Sequence, residues 1–139
     1  MAGFVHHRRP TYAECDAQRV VFHGHWLAYF DDAMTRFTDW LGFPPAETFF
    51  STFDVMVVGA TLRWQGPAAF DDVIDIAVTP VRLGRSSFDL RYDASVNGAP
   101  VCTGTVTYVS VKPGTSESCP IPDDVRSAME AVAEGDAGG

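Results

Sequence analysis

This chain carries a helical stripe too broad and too apolar for one neighbouring strand to cover. Trp26, Tyr29, Phe30, Ala33, Phe37, Trp40 and Leu41 recur at spacings of three and four, which marks one face of a helix. Leu27 and Met34 widen that face until most of the helix is expected to be buried. Asp31 and Asp32 lie in its early turns, where carboxylates favour the helix dipole. Gly42 supplies the stop, and Pro44-Pro45 prevents continuation.

From Val55 the period changes to two. Val55-Met56-Val57-Val58 is apolar on both faces, and Leu62 and Trp64 continue the alternation. Ile74, Ile76 and Val78 alternate until Pro80 shifts the parity to Val81 and Leu83, which predicts a bulge. Phe88, Leu90, Tyr92, Ala94 and Val96 alternate with Asp89, Arg91, Asp93 and Ser95, so that strand has one wet face. Asn97-Gly98 predicts a hairpin turn, because both residues tolerate positive φ. A valine- and threonine-rich strand follows over 101–111. Residues 4–14 read as a first strand, 44–52 as a loop carrying Phe49 and Phe50, and 120–134 as a short helix. The loop phenylalanines are expected to cover the core edge; gating of a substrate is the alternative. Residues 133–139 are small and polar and are expected to fray.

The strands after the helix are joined mostly by tight turns, which predicts an antiparallel meander. A twisted sheet wrapped around the one helix satisfies both burial needs. The expectation is therefore a single α+β domain over 1–139, with sheet edges left for a second subunit and an oligomer built on a dimer.

Composition removes several functions. Ten Lys+Arg stand against 18 Asp+Glu, a net charge of −8, so nucleic acid is not expected as a partner. Cys15, Cys102 and Cys119 are odd in number and contain no CxxC, which fits neither a disulfide scaffold nor a zinc site. His6 and His7 on an extended segment point to opposite faces, so no metal is expected there. No apolar run of about 18 residues exists, so no membrane span is expected. The N-terminus lacks an apolar secretory core, and cytoplasmic location is the resulting expectation.

Chemistry concentrates between the first strand and the helix. The segment from Tyr12 to Trp26 holds Glu14, Cys15, Asp16, His23, Gly24 and His25 in an apolar setting. A carboxylate beside apolar residues can act as base or nucleophile. Free N–H groups at a helix start can stabilise developing negative charge. An Asp so placed is more commonly a turn or capping residue, and a lone His such as His23 a structural histidine. Cys15 points away from Asp16 on an extended segment, and nothing near it clearly lowers its pKa.

The pattern Tyr12-x-Glu14-x-Asp16-x-x-x-Val20-Val21-Phe22-His23-x-x-Trp26, followed by Tyr29-Phe30-Asp31 and Leu41-Gly42, resembles the 4-hydroxybenzoyl-CoA thioesterase-like branch of the hotdog-fold superfamily. The resemblance continues through Gly66-Pro67-Ala68-x-Phe70-Asp71-Asp72, Gly84-Arg85-Ser86-Ser87-Phe88 and Pro120-Ile121-Pro122. It implies a hotdog fold, dimerised edge to edge, with active sites at subunit interfaces. It implies Asp16 as the catalytic carboxylate, attacking the thioester or activating water, with His23 assisting. Backbone N–H groups of His23 and Gly24 would polarise the carbonyl. Arg19 stands where the family usually has glycine; it would pair with Asp16 or narrow the acyl pocket. Trp26 stands where tyrosine is common and, with Phe49 and Phe50, would shape that pocket.

A coenzyme A substrate would need focused cations in this acidic chain. Arg82 and Arg85, with Ser86 and Ser87, gather at one turn and could hold phosphate. The alternative is that these arginines pair with Asp89 or Asp93. Three readings follow: an acyl-CoA thioesterase, a thioesterase acting on a carrier protein, and a non-catalytic acyl-binding hotdog protein. No cofactor is expected beyond coenzyme A within the substrate.

Overall fold

The computed structural model describes residues 3–49 and 51–133. Five antiparallel strands form one sheet: β1 (Phe4–Arg8), β2 (Asp54–Trp64), β3 (Ile74–Leu83), β4 (Ser87–Val96) and β5 (Ala99–Val111), in the order β1-β3-β4-β5-β2. The helix α1 (Trp26–Trp40) packs on one face. Its buried residues, among them Tyr29, Phe30, Ala33 and Phe37, keep the predicted spacing. They meet Ile74, Ile76, Leu90, Tyr92 and Val106 from the sheet. Phe30 stacks on Tyr92 with ring centroids 4.7 Å apart. That stack needs Gly104, the residue paired with Tyr92: a Cβ there would lie 3.0 Å from the Phe30 ring.

Several details follow the sequence. The β3–β4 register shifts between Pro80 and Arg82, the bulge expected where proline cannot donate to the ladder. Asn97 and Gly98 both have positive φ at the β4–β5 hairpin. Gly42, at φ 106, ends the turn after α1.

Other details differ. The first strand stops at Arg8 rather than running to residue 14, because Pro10 has no N–H and the chain coils into a 3-10 turn, Tyr12–Glu14. Pro45 opens a short helix, α2 (Pro45–Thr48), instead of a loop. Only β3, β4 and β5 form a meander. Residues 65–73 carry the chain across, so β2 pairs with β5 and becomes an edge strand. Met56, Val57, Val58 and Trp64 stay substantially exposed there. Leu27 is 47% exposed rather than buried. The C-terminal helix α3 (Asp123–Glu130) buries Val125 and Met129. Phe50 and residues 134–139, the bulk of the tail expected to fray, lie outside the described residues.

Candidate active site

Asp16 sits on a narrow excursion of the chain. Cys15 bridges Val21, and the Asp16 N–H donates to Val20 O at 2.9 Å. The turn between them closes through Arg19 N–H to Asp16 O, 2.9 Å. Arg19 has φ 66, the left-handed region in which glycine is unstrained. The family's glycine at this point therefore has a backbone reason. Among the described residues, the Arg19 side chain makes no ion pair with Asp16.

The crossover loop pins the excursion. Val21 N–H donates to Ala68 O at 2.8 Å, Phe70 N–H to Arg19 O at 3.2 Å, and Val20 bridges Ala69. Two segments that carry the family resemblance, distant in sequence, thus meet side by side. Between them opens a cleft of about 440 Å³ lined by Tyr12, Cys15, Asp16, Ala17, Arg19 and Phe70. Tyr12 and Phe70 meet edge to face, 6.0 Å apart, beside the carboxylate. One Asp16 oxygen accepts the Gln18 N–H at 2.8 Å. No protein donor among the described residues takes the other. The Cys15 thiol is pushed up by desolvation and by the Asp16 and Glu14 charges, which disfavours a thiolate.

Glu14 anchors the segment from behind. Its carboxylate accepts from Arg8 at 2.6 Å, Tyr29 at 2.9 Å and the Thr11 N–H at 2.8 Å. Burial alone would raise its pKa, but these hydrogen bonds outweigh burial and hold it at about 2. Arg8 also reaches Asp32 on α1 at 3.0 Å and lies over the Tyr29 ring. Strand, excursion and helix are thereby tied at one point.

His23 and Gly24 form the 3-10 turn (His23–His25) that leads into α1. His25 N–H takes the Phe22 carbonyl at 3.0 Å, so the N–H groups of His23 and Gly24 precede any intrahelical acceptor. A Cβ on Gly24 would meet the Phe22 ring at 2.8 Å. The His23 ring packs on Phe22, 4.2 Å between centroids. Within one chain His23 does not line the Asp16 cleft.

The other expected residues fall in separate places. Trp26 is 2% exposed, a core residue against Tyr29, and does not line the Asp16 cleft. Phe49 is half-buried and packs on Phe53, covering the core edge. Arg82 is held on Asp89 by two hydrogen bonds, with a third from its guanidinium to Ser87. The Arg85 side chain is exposed and makes no ion pair among the described residues. Ser86 lies between Arg85 and Ser87, and its carbonyl accepts Ser110 N–H at 2.7 Å.

Two features escaped the sequence reading. A second, largely apolar cleft of about 350 Å³ lies between α1 and the β5–β2 edge, lined by Leu27, Phe30, Asp31, Val57, Val106 and Tyr108 among others. Asp31 is the one carboxylate among its lining residues. Desolvation and the neighbouring Asp32 charge raise its pKa. A carboxylate in an otherwise apolar helical stripe was the available signal. The other is Arg126, which donates to the Gly84 carbonyl. No spacing rule links it to that turn.

Comparison with known proteins gives the class. The Thioesterase-like superfamily model matches residues 10–129, and the chain belongs to that superfamily. It is a thioester hydrolase by class. A 1,4-dihydroxy-2-naphthoyl-CoA hydrolase from Synechococcus elongatus is 24% identical over 136 residues, covering 96% of this chain and all of the relative. A gentisyl-coenzyme A thioesterase structure is similar at TM-score 0.82 and 28% identity, covering 91% of this chain and 99% of the other. A thioesterase-superfamily structure from Jannaschia reaches TM-score 0.90 at 22% identity, covering 96% and 95%; that likeness concerns the fold. The five-stranded sheet on its long helix is thus the hotdog fold.

Proposed function

We propose that this chain hydrolyses acyl-CoA thioesters with Asp16 as the reacting carboxylate. The observation that carries the reading is the Asp16 carboxylate on an open aromatic-flanked cleft, with one oxygen free of protein donors among the described residues. Two routes use it. Asp16 attacks the thioester carbonyl carbon, the C–S bond breaks, and the leaving thiolate takes a proton; water then cleaves the anhydride. Alternatively, Asp16 takes a proton from water as that water attacks. Both yield a free acid and a thiol. In either, the N–H groups of His23 and Gly24 stabilise the oxyanion, and the His23 ring helps position the carbonyl.

His23 and Asp16 do not share a cleft within one chain, which supports a site completed by a second copy. The exposed apolar edge of β2 offers the surface for that copy. Arg85, with Ser86 and Ser87, receives phosphate; Arg82, held on Asp89, contributes by ordering Ser87. That nucleotide contact favours coenzyme A over a carrier protein, though a carrier's phosphopantetheine shares the thiol arm.

For the acyl group, an aromatic acid carrying a hydroxyl fits best. The named relatives act on gentisyl-CoA and dihydroxynaphthoyl-CoA, and Asp31 offers a single carboxyl inside an apolar cleft to accept a hydroxyl. No helix among the described residues is long and apolar enough to cross a membrane; we take the enzyme to work in the cytoplasm without a cofactor. Thiol release from a panel of aliphatic, benzoyl and hydroxybenzoyl CoA thioesters tests the reading. Turnover of none of them overturns it. Asp31→Asn is expected to reduce preference for hydroxylated over plain benzoyl-CoA by about tenfold; an unchanged preference removes the hydroxyl contact.

A further inference from the structure

The turn between β3 and β4 is held from outside by the C-terminal segment. Ile121 N–H donates to Arg85 O at 2.9 Å, and Gly84 N–H to Ser87 O at 2.8 Å. Arg126 of α3 donates one guanidinium nitrogen to Gly84 O, and the same nitrogen lies 3.5 Å from Arg85 O. The turn has no slack on its other side. A Cβ at Gly84 would lie 3.0 Å from both Arg82 Nη1 and Ser87 O. The helix carrying Arg126 is itself fixed, with Val125 and Met129 buried and Ile121 in the core. The Arg85 backbone is therefore gripped at its carbonyl, while its side chain projects into solvent. Arg82, three residues before Arg85, is already committed to Asp89, whose pKa is lowered chiefly by that contact.

We propose that Arg126 is a positioning residue for phosphate recognition. It fixes the Gly84–Arg85 backbone and so aims the Arg85 guanidinium, rather than meeting the phosphate itself. A long exposed side chain loses conformational freedom when it binds; a clamped backbone confines where its guanidinium can go and lowers that cost. The sequence hides this link, since Arg126 lies more than thirty residues beyond the turn. The proposal rests on the reading of Arg85 as the phosphate contact.

The test compares an acyl-CoA with the same acyl group on N-acetylcysteamine, which carries no phosphate. Arg126→Ala is expected to raise KM for the CoA substrate about tenfold, and KM for the short thioester less than twofold. Arg126→Lys keeps a donor and is expected to recover most of the loss. In an Arg85→Ala background, Arg126→Ala should add less than twofold, because it acts through Arg85. Full multiplication of the two losses would mean an independent phosphate contact and would overturn the proposal. Equal losses on both thioesters would mean a merely structural role and would also overturn it. If Arg85→Ala shows a CoA-specific loss and Arg126→Ala shows none, the proposal alone falls. If Arg85→Ala shows no CoA-specific loss, the phosphate reading falls first and the proposal with it. Should Arg126→Ala fail to fold, Arg126→Gln gives the same comparison.

Discussion

Glu14 stands two residues before Asp16, and its ties to Arg8, Tyr29 and Thr11 set how firmly the excursion is held. Its folded pKa, about 2, lies below the ordinary 4.5. Its contribution is therefore fully present above about pH 4.5 and is lost as pH falls toward 2. Glu14→Gln is expected to cost on the order of 2–3 kcal/mol at neutral pH and much less near pH 2–3. Urea unfolding at the two pH values checks this; a cost independent of pH would contradict it. Arg19 presents the opposite case, a residue its backbone does not favour. Arg19→Gly relieves the left-handed strain of about 1 kcal/mol, partly offset by glycine's greater unfolded-state freedom. A small rise in Tm is expected, and a fall would show that the Arg19 side chain stabilises the turn. The sequence marked the Tyr12–Trp26 segment by its residue types. It did not mark Arg19's strain, because φ is set by the closing hydrogen bonds of the excursion.

At the scale of elements, α1 and the sheet meet through shape rather than hydrophobicity alone. Phe30, Tyr92 and Gly104 form one fitted contact. Gly104→Ala places a methyl 3.0 Å from Phe30 and 3.1 Å from the Thr61 carbonyl. A loss of about 1–3 kcal/mol is expected by thermal or chemical unfolding; no loss would mean α1 can shift freely over the sheet. The sequence carried the local signals well. The helix period, the Pro80 parity change and Asn97-Gly98 each depend on neighbours a few residues away, and each appears where expected. Strand order was different. Nothing in residues 65–73 states that β2 pairs with β5, since that choice is made by long-range burial. The first strand ends at Arg8 rather than residue 14, because Pro10 cannot donate to the ladder and the chain coils at Tyr12–Glu14. The turn clamp by Arg126 and the Asp31 cleft are likewise products of distant segments meeting.

At the scale of the whole molecule, the exposed residues of β2 offer the surface on which the proposed assembly would form. Val57 and Val58 are 55% and 60% exposed on the sheet edge, and an apolar edge of this kind invites pairing. The proposed site needs that pairing, because His23 and the Asp16 cleft are apart within one chain. Light scattering is expected to find a dimer or a larger even assembly. Val58→Lys should shift it toward monomer and reduce thioester hydrolysis in parallel; an active monomer would contradict the shared site. With a net charge of −8, the proposed phosphate contact falls to a few exposed cations, among which the proposal gives Arg85 the leading part. The proposed hydrolysis turns on one carboxylate, that of Asp16. The most direct measurement is thiol release from the best acyl-CoA by wild type and by Asp16→Asn, with both proteins folded and equally assembled. A drop in kcat of roughly a hundredfold or more is expected for Asp16→Asn. Equal rates for the two proteins would contradict it.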